Sequence, residues 1–462
     1  MTEPAGVLGE ISAAKREELE SHFSGVSLDA LRSRAKTSKR SLVEAIARPG
    51  SSFILEIKKA SPSAGAIRDA DAGAIARGYA GVADAISVLI DRKYFGGSID
   101  DLAAARSAFN GPILAKDFFI DRRQVAEARI AGADAVLVML SLLGDAEARE
   151  IIAEARRFGM DALVEVHDES EMRRALALGV PLIGINNRDL RDLSIDLSVT
   201  ERLAGLGRDH LLVSESGIDG RADVERLSGR VNGFLVGSAL MRSDNPAEAA
   251  RELVFGRVKL CGLNNEGDVR AGRAAAFAGF VFVPGSPRHL IAEEAAPLAG
   301  LARYFGMKPA GVFRDAPLPV VADLATLLNL EAVQLHGIED VEYVQALRRQ
   351  LPSSCEIWTA VSVGRGPLTG RGGDRILFDN GNGGTGRTFD WNLVRGHPDL
   401  PRAVVAGGIG PHNARSASYL GAYAIDVGAS VDVVPGLKSP VKMRTLFEAL
   451  RPSCREELRQ CA

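Results

Sequence analysis

The chain has 462 residues, 46% of them hydrophobic and 25% charged, an ordinary composition for a folded protein and ample for two cores. Its formal charge of −3 gives no bulk attraction to nucleic acid or to an anionic membrane surface, so an anionic ligand would need locally placed cations. The first twenty residues lack an apolar signal core, no apolar run approaches a membrane span, and Cys261, Cys355, Cys454 and Cys461 show neither CxxC nor Cys/His metal spacing; the expectation is a cytoplasmic, reduced chain without a metal.

Residues 1–50 read as polar and helical, broken at Arg48-Pro49-Gly50. Apolar strand-like runs follow at 53–57, 85–89, 112–115, 135–139, 162–166, 182–185, 211–214 and 233–236. Amphipathic segments such as 122–131 and 146–158 lie between them, most ending on a glycine C-cap. Strict alternation with near-continuous apolar strands predicts a parallel sheet covered on both faces, and eight such units fit a closed ring. A second series begins directly after Phe255-Gly256, with strands expected at 258–260, 280–283, 311–313, 332–335, 357–361, 376–378, 403–406 and 424–427. No Pro/Ser-rich linker separates the two. The expectation is an α/β chain of two tandem (β/α)8 barrels, residues 1–255 with an N-terminal helical extension and residues 256–462. The glycine-rich loop at 364–373 carries no evident chemistry.

One pattern occurs twice. Val213-Ser-Glu-Ser-Gly217-Ile218 precedes Val236-Gly237-Ser238-Ala239, and 191 residues later Val404-Val-Ala-Gly-Gly408-Ile409 precedes Val427-Gly428-Ala429-Ser430. In each pair twenty residues separate the glycines, the room that one strand, one helix and their turns occupy. The last two βα loops of a (β/α)8 barrel commonly hold a phosphate, which glycine lets backbone N–H groups approach. Ordinary turns after buried strands would explain either copy alone; the shared register points to two phosphate sites.

Strand C-termini of the first half carry the chemistry. Glu56 and Lys58 are two apart and point to one side of the sheet, whereas Lys59 has the opposite parity and reads as a solvated charge. Further along come Lys116-Asp117-Phe118, Glu165 within an apolar run, Gly184-Ile-Asn186-Asn-Arg188, and Glu215 with Ser216. Two lysines, three glutamates and an amide at strand ends suit proton transfer: a partly desolvated ammonium can donate near neutrality and a buried glutamate can accept.

Over about residues 1–255 the ordered motifs ExKxxSPS (56–63), KDF, LVEV, GINNRDL, SESGI and VGSAL resemble indole-3-glycerol phosphate synthase. That resemblance implies closure of the indole ring of carboxyphenylamino-deoxyribulose phosphate with loss of carbon dioxide and water. It implies Lys116 as general acid at the ketone, Glu165 assisting proton transfer, and Glu56 and Lys58 handling the substrate carboxylate and the dehydration, although which lysine serves which step stays open. Asn186 would order the anilino and hydroxyl groups, and Glu215 joins the catalytic set. Ser216, Gly217, Gly237 and Ser238 would hold the phosphate, and Ser61 and Arg188 join the substrate-binding set. The helical residues 1–50 would be the extra segment over the barrel mouth.

In the second half Cys261 closes the first strand, and Asp379 closes the sixth, expected directly opposite it in the ring. A free cysteine is usually a small core hydrophobe, but its strand-end position suggests an acid–base pair that moves a proton between adjacent carbons. Gly381-Asn-Gly-Gly-Thr-Gly386 matches GxGxxG, yet it opens no long helix and has no βαβ partner, so it reads as a phosphate loop and not a dinucleotide site.

The motifs KLCGL, FVFVPGSPR, VQLHG, LFDNGNGGTG and AGGI resemble phosphoribosylanthranilate isomerase over about residues 256–462. This implies an Amadori rearrangement with Cys261 as base and Asp379 as acid, and with Arg288 on the anthranilate carboxylate. Gln334 and His336 would line the mouth, and Gly384, Thr385, Gly386, Gly407, Gly408, Gly428 and Ala429 would bind phosphate. Two positions depart from the family pattern: Asn264 replaces a threonine, and Asp426-Val-Gly428-Ala429-Ser430-Val-Asp432 replaces DxxSGxE. The isomerase product is the synthase substrate, so the chain resembles the fused bifunctional enzymes of tryptophan biosynthesis. Its partners would be small sugar-phosphate and anthranilate substrates, with no cofactor, no nucleic acid, no membrane and a monomeric state. Two other readings are a Schiff-base aldolase using Lys58 or Lys116, and a barrel that only binds a sugar phosphate.

Overall fold

The computed structural model describes residues 7–61, 65–189, 192–364, 368–381 and 386–454. Three helices come first: α1 (Val7–His22), α2 (Leu28–Arg34) and α3 (Leu42–Ile46). Ser27 and Ser41 start the second and third by accepting the backbone N–H groups of Ala30 and Glu44.

Eight parallel strands then close a ring: β1 (Ser52–Ile57), β2 (Ala85–Leu89), β3 (Ile113–Lys116), β4 (Ala135–Met139), β5 (Asp161–Val166), β6 (Leu182–Asn186), β7 (Leu211–Glu215) and β8 (Gly233–Val236). Closure is made by β1 pairing with both β2 and β8, Ile54 lying beside Ala85 and Ser52 beside Gly233. Both faces of these strands are covered, which is why they read as unbroken apolar runs. The crossover helices carry local start and stop signals. Asp121 and Gln124 form a capping box on the helix Arg122–Ala131, and Gly132 ends it at φ 111°.

The second ring is β9 (Val258–Cys261), β10 (Phe277–Val281), β11 (Lys308–Phe313), β12 (Ala332–Leu335), β13 (Glu356–Ser362), β14 (Arg375–Asp379), β15 (Val404–Val405) and β16 (Ala424–Val427), again parallel and closed. Its floor packs Trp358 edge-on to Phe277 with centroids 5.0 Å apart. Ala310, Ala332, Leu377, Val404 and Ala424 fill the space round that pair, small residues making room for the indole.

Three expectations are corrected. β10 begins at Phe277, three residues before the expected strand, because Gly279 lies inside it and marks close backbone approach, not a turn. A Cβ at Gly279 would lie 3.0 Å from Cys261 Cα. In the ring order β14 is three strands from β9, so Asp379 is not diametrically opposite Cys261. Lys59 is not a free solvated charge, since its ammonium sits 2.7 Å from Asp101.

The chain divides into two compact units, Met1–Ala250 with the chain end from Pro452, and Arg251–Arg451. Within the first, Ser51 N–H donates to Pro452 O at 3.0 Å. Within the second, Arg251 is fully buried and its guanidinium donates to Arg273 O at 3.1 Å and to Phe305 O. No helix among the described residues is long and apolar enough to cross a membrane.

Candidate active sites

In the first unit the C-terminal ends of the strands surround one cavity, lined by Glu56, Lys58, Ser61, Lys116, Glu165, Asn186, Arg188, Ser216, Gly217, Gly237 and Ser238. Glu215 lies beneath it with no exposed surface. Every one of these residues was picked out from the sequence. Lys116 Nζ is the hub, 2.9 Å from Glu215 Oε2 and 3.3 Å from Glu56 Oε2, and Lys58 Nζ closes on Glu56 Oε1 at 2.9 Å. Ser63, from the first motif, is outside the described residues.

Burial works against the Lys116 ammonium, but Glu215, Glu56 and Glu165 outweigh it and hold it well above the usual lysine range. Burial also works against the Glu56 carboxylate, and Lys116 and Lys58 overcome it to hold Glu56 at about 2. At Glu215 burial wins: with Glu165 and Glu56 adding repulsion, the carboxyl is pushed up to about 7 although Lys116 opposes this. Within this Lys116 cluster Glu215 is the carboxyl that titrates near neutrality, while Lys116 stays an ammonium.

Ser216 and Gly217 occupy the left-handed region in succession, at φ 63° and 79°, and both line the cavity. A Cβ at Gly237 would lie 2.4 Å from Glu56 Oε1, so this glycine lets the carboxylate pack against the backbone that follows β8. Two guanidinium groups share this side of the cavity. Burial and the nearby Arg242 push Arg188 below the usual arginine range, while Arg188 donates to Leu193 O at 2.8 Å and Arg242 pairs with Asp219 at 2.9 Å.

Sequence reading expected the N-terminal helices over the barrel mouth but missed Arg242, Asp91 and the particular α1 residues Ile11 and Lys15. Ile11 reaches the cavity, and four residues on, Lys15 is only 2% exposed, with its ammonium 2.7 Å from Asp91 and 3.0 Å from Asp117. The i, i+4 spacing of Ile11 and Lys15 was the available signal for one helix face turned to the barrel. Burial raises Asp117 to about 6, Lys15 opposing and Asp91 reinforcing. His167, two residues past Glu165, was also missed; its Nδ1 lies 3.1 Å from Glu171 and its Nε2 3.5 Å from Glu165.

In the second unit Cys261, Arg288, Gln334, His336, Asp379, Gly386, Gly407, Gly408, Gly428 and Ala429 line one cavity. Gly384 and Thr385 lie outside the described residues. His336 Nε2 is 3.2 Å from Asp379 Oδ2, and its Nδ1 is 3.1 Å from Gln334 Nε2. Gly407 and Gly408 repeat the paired left-handed turn at φ 80° and 61°. A Cβ on Gly408 would strike the Arg387 carbonyl carbon at 2.6 Å.

Arg288 is held by Asp432 at 2.6 Å, and Asp432 also takes the Lys438 ammonium at 2.7 Å. The departure at Asp432 thus keeps an acidic anchor for Arg288. Asn264 donates to Gly436 O at 2.7 Å and fastens the hairpin that follows β16. Arg314, Lys259 and Asp426 had drawn no site assignment, yet Arg314 and Asp426 line the cavity and Lys259 lies buried against Asp426. Burial pushes the Cys261 thiol up, against the pull of Lys259. Among the described residues no group of three or more His, Cys, Asp and Glu could hold a metal ion.

Residues 8–253 match the family described as Indole-3-glycerol phosphate synthase, and residues 258–449 match N-(5'phosphoribosyl)anthranilate (PRA) isomerase. The "Tryptophan biosynthesis protein TrpCF" of Salmonella typhi is 42% identical over 96% of this chain and 99% of its own. The proteins of that name from Yersinia pestis and from Vibrio cholerae are each 43% identical over 90% of this chain, covering 88% and 89% of theirs. This chain therefore belongs to the fused indole-3-glycerol phosphate synthase and phosphoribosylanthranilate isomerase family of tryptophan biosynthesis, with the synthase barrel N-terminal and the isomerase barrel C-terminal.

Proposed function

We propose that the residues gathered at the two barrel mouths carry the family's two successive reactions, the second unit acting first. There the substrate is N-(5'-phosphoribosyl)anthranilate. Asp379 protonates the ring oxygen as the ribose opens, and Cys261 takes the proton from the neighbouring carbon. The resulting enol-amine becomes the ketone of carboxyphenylamino-deoxyribulose phosphate. His336, 3.2 Å from Asp379, orients that acid, and Arg288 faces the anthranilate carboxylate from its anchor on Asp432. The phosphate lies against Gly386, Gly407, Gly408, Gly428 and Ala429, and Gly384 and Thr385 belong to the same phosphate-binding set.

In the first unit the aromatic ring carbon attacks the ketone while Lys116 donates a proton to its oxygen. Carbon dioxide leaves from the ring carbon that carried it, and water leaves from the former ketone carbon. Glu165 and Glu215 accept and return protons beside the cationic intermediate. Glu56 and Lys58 act in the dehydration, Asn186 orders the anilino nitrogen and a hydroxyl, and Ser61 and Arg188 complete the substrate contacts. The phosphate rests on Ser216, Gly217, Gly237 and Ser238. Both reactions are redox-neutral, so neither calls for a redox cofactor. The chain works as a cytoplasmic monomer on small sugar phosphates.

The observation that carries this reading is the Lys116 ammonium fixed within 3.3 Å of two buried glutamates at the synthase mouth. The test is to supply N-(5'-phosphoribosyl)anthranilate alone and follow indole-glycerol phosphate fluorescence. Product formation requires both barrels, and accumulation of the aminoketose without indole would remove the first-unit assignments.

A further inference from the structure

Beneath the isomerase mouth lies an ion pair that the two reactions leave unused. Lys259 and Cys261 are two apart on β9 and so share a face of that strand. On the adjacent strand β16, Asp426 stands in register with Lys259, and its two carboxylate oxygens lie 3.0 and 3.1 Å from the Lys259 ammonium. Lys259 has no exposed surface. On the other side β10 presents Gly279, where a Cβ would come within 3.1 Å of Lys259 Cε. A glycine inside a strand weakens it, and here the missing side chain is what gives the lysine its channel.

Stability alone does not account for the pair. Desolvating two charges costs several kcal/mol per ion, and well-packed apolar residues in their place are often as stable or more so. We propose that the Lys259–Asp426 pair acts through Cys261: the Lys259 ammonium stabilises the thiolate, while Asp426 fixes that ammonium and limits its pull. Lys259 and Asp426 are positioning residues, and the inference rests on Cys261 being the base of the isomerisation.

The charges facing the thiol oppose one another as the two halves of such a device should. Burial disfavours the thiolate, Lys259 counters this by charge and by hydrogen bonding, Asp426 works against Lys259, and Lys438 adds a weaker cation from its seat on Gly428 O and Asp432. Asp379, His336 and Arg288 look onto the same cavity. A charge device predicts opposite effects from its two halves, whereas a packing device predicts the same effect from both.

The test is the pH dependence of iodoacetamide alkylation at Cys261 in the full-length protein, read peptide by peptide to separate it from Cys355, Cys454 and Cys461. Lys259→Met should move the titration midpoint up by about one pH unit, a roughly tenfold slower reaction at pH 7. Asp426→Asn should move it down, and Lys259→Arg should restore the midpoint. Unchanged midpoints, or both substitutions shifting it the same way, would overturn the proposal. Should Lys259→Met fail to fold with Asp426 left unpaired, Lys259→Met/Asp426→Leu removes both charges and must still slow alkylation; a wild-type rate overturns the idea. The rising limb of isomerase kcat/KM should follow the alkylation midpoint. Alkylation shifts without that movement would refute Cys261 as the base and leave the effect of Lys259 on the thiol standing.

Discussion

Replacing Glu215 by Gln removes the carboxyl of the synthase site that burial raises highest, to about 7. Glu215 is wholly buried, and its folded value of about 7 stands above an ordinary 4.5. Between these values the folded state binds more protons than the unfolded state, so stability falls as pH rises from about 4.5 to about 7. At about 1.4 kcal/mol per unit, the difference of some 2.5 units amounts to roughly 3 kcal/mol. Glutamine resembles the protonated acid and does not titrate. Glu215→Gln should therefore match the wild type near pH 4.5 and exceed it by roughly 3 kcal/mol at pH 8. Asp117 titrates in both proteins without a Glu215 contribution, whereas Glu56 and His167 feel the Glu215 charge and shift with its removal. Both tryptophans, Trp358 and Trp391, lie in the second unit, so indole fluorescence would not report this change. Hydrogen exchange of β7 peptides, corrected for intrinsic rates, reads it directly. A variant-minus-wild-type difference that stays constant between pH 5 and pH 8 would refute the charge assignment. Synthase activity should fall at the same time, because a neutral side chain then faces Lys116 in place of the carboxylate.

Lys116→Ala should abolish ring closure and leave isomerisation within severalfold, measured by separate assays of the two steps; equal loss of both would argue against independent sites. Cys261→Ser should slow the isomerase at least about 10²-fold, as expected for loss of a general base, and a near-normal rate would remove the thiol from the mechanism. Lys15→Met leaves Asp91 and Asp117 buried without their cation and should destabilise the first unit by about 3–5 kcal/mol, seen as faster exchange in α1; Lys15→Met with Asp117→Leu should recover part of that loss. Gly237→Ala places a methyl 2.4 Å from Glu56 Oε1 and should depress synthase turnover while sparing the isomerase; an unchanged rate would show that Glu56 can shift freely.

Much of the site was legible because it rests on short-range rules. Parity along β1 put Glu56 and Lys58 on one side, and both line the cavity. The repeated glycine pairs were recognisable because a left-handed turn after a strand leaves few other residues possible, and Gly217, Gly407 and Gly408 adopt it. What went unread depends on partners distant in sequence. Lys15 draws its role from Asp91 and Asp117, and Asp426 meets Lys259 across 167 residues. Gly279 reads as a strand boundary until the neighbouring lysine is seen to need the space.

Apolar strands alternating with helices, and ordered strand-end motifs, determined two eight-stranded rings, their family and many of the polar residues and glycines at the two mouths. Only the tertiary structure decided the charge states within those mouths. Lys116 is a fixed ammonium and Glu215 the titrating acid because through-space neighbours and burial set them, and the two residues, 99 positions apart, meet at 2.9 Å only once the ring has closed.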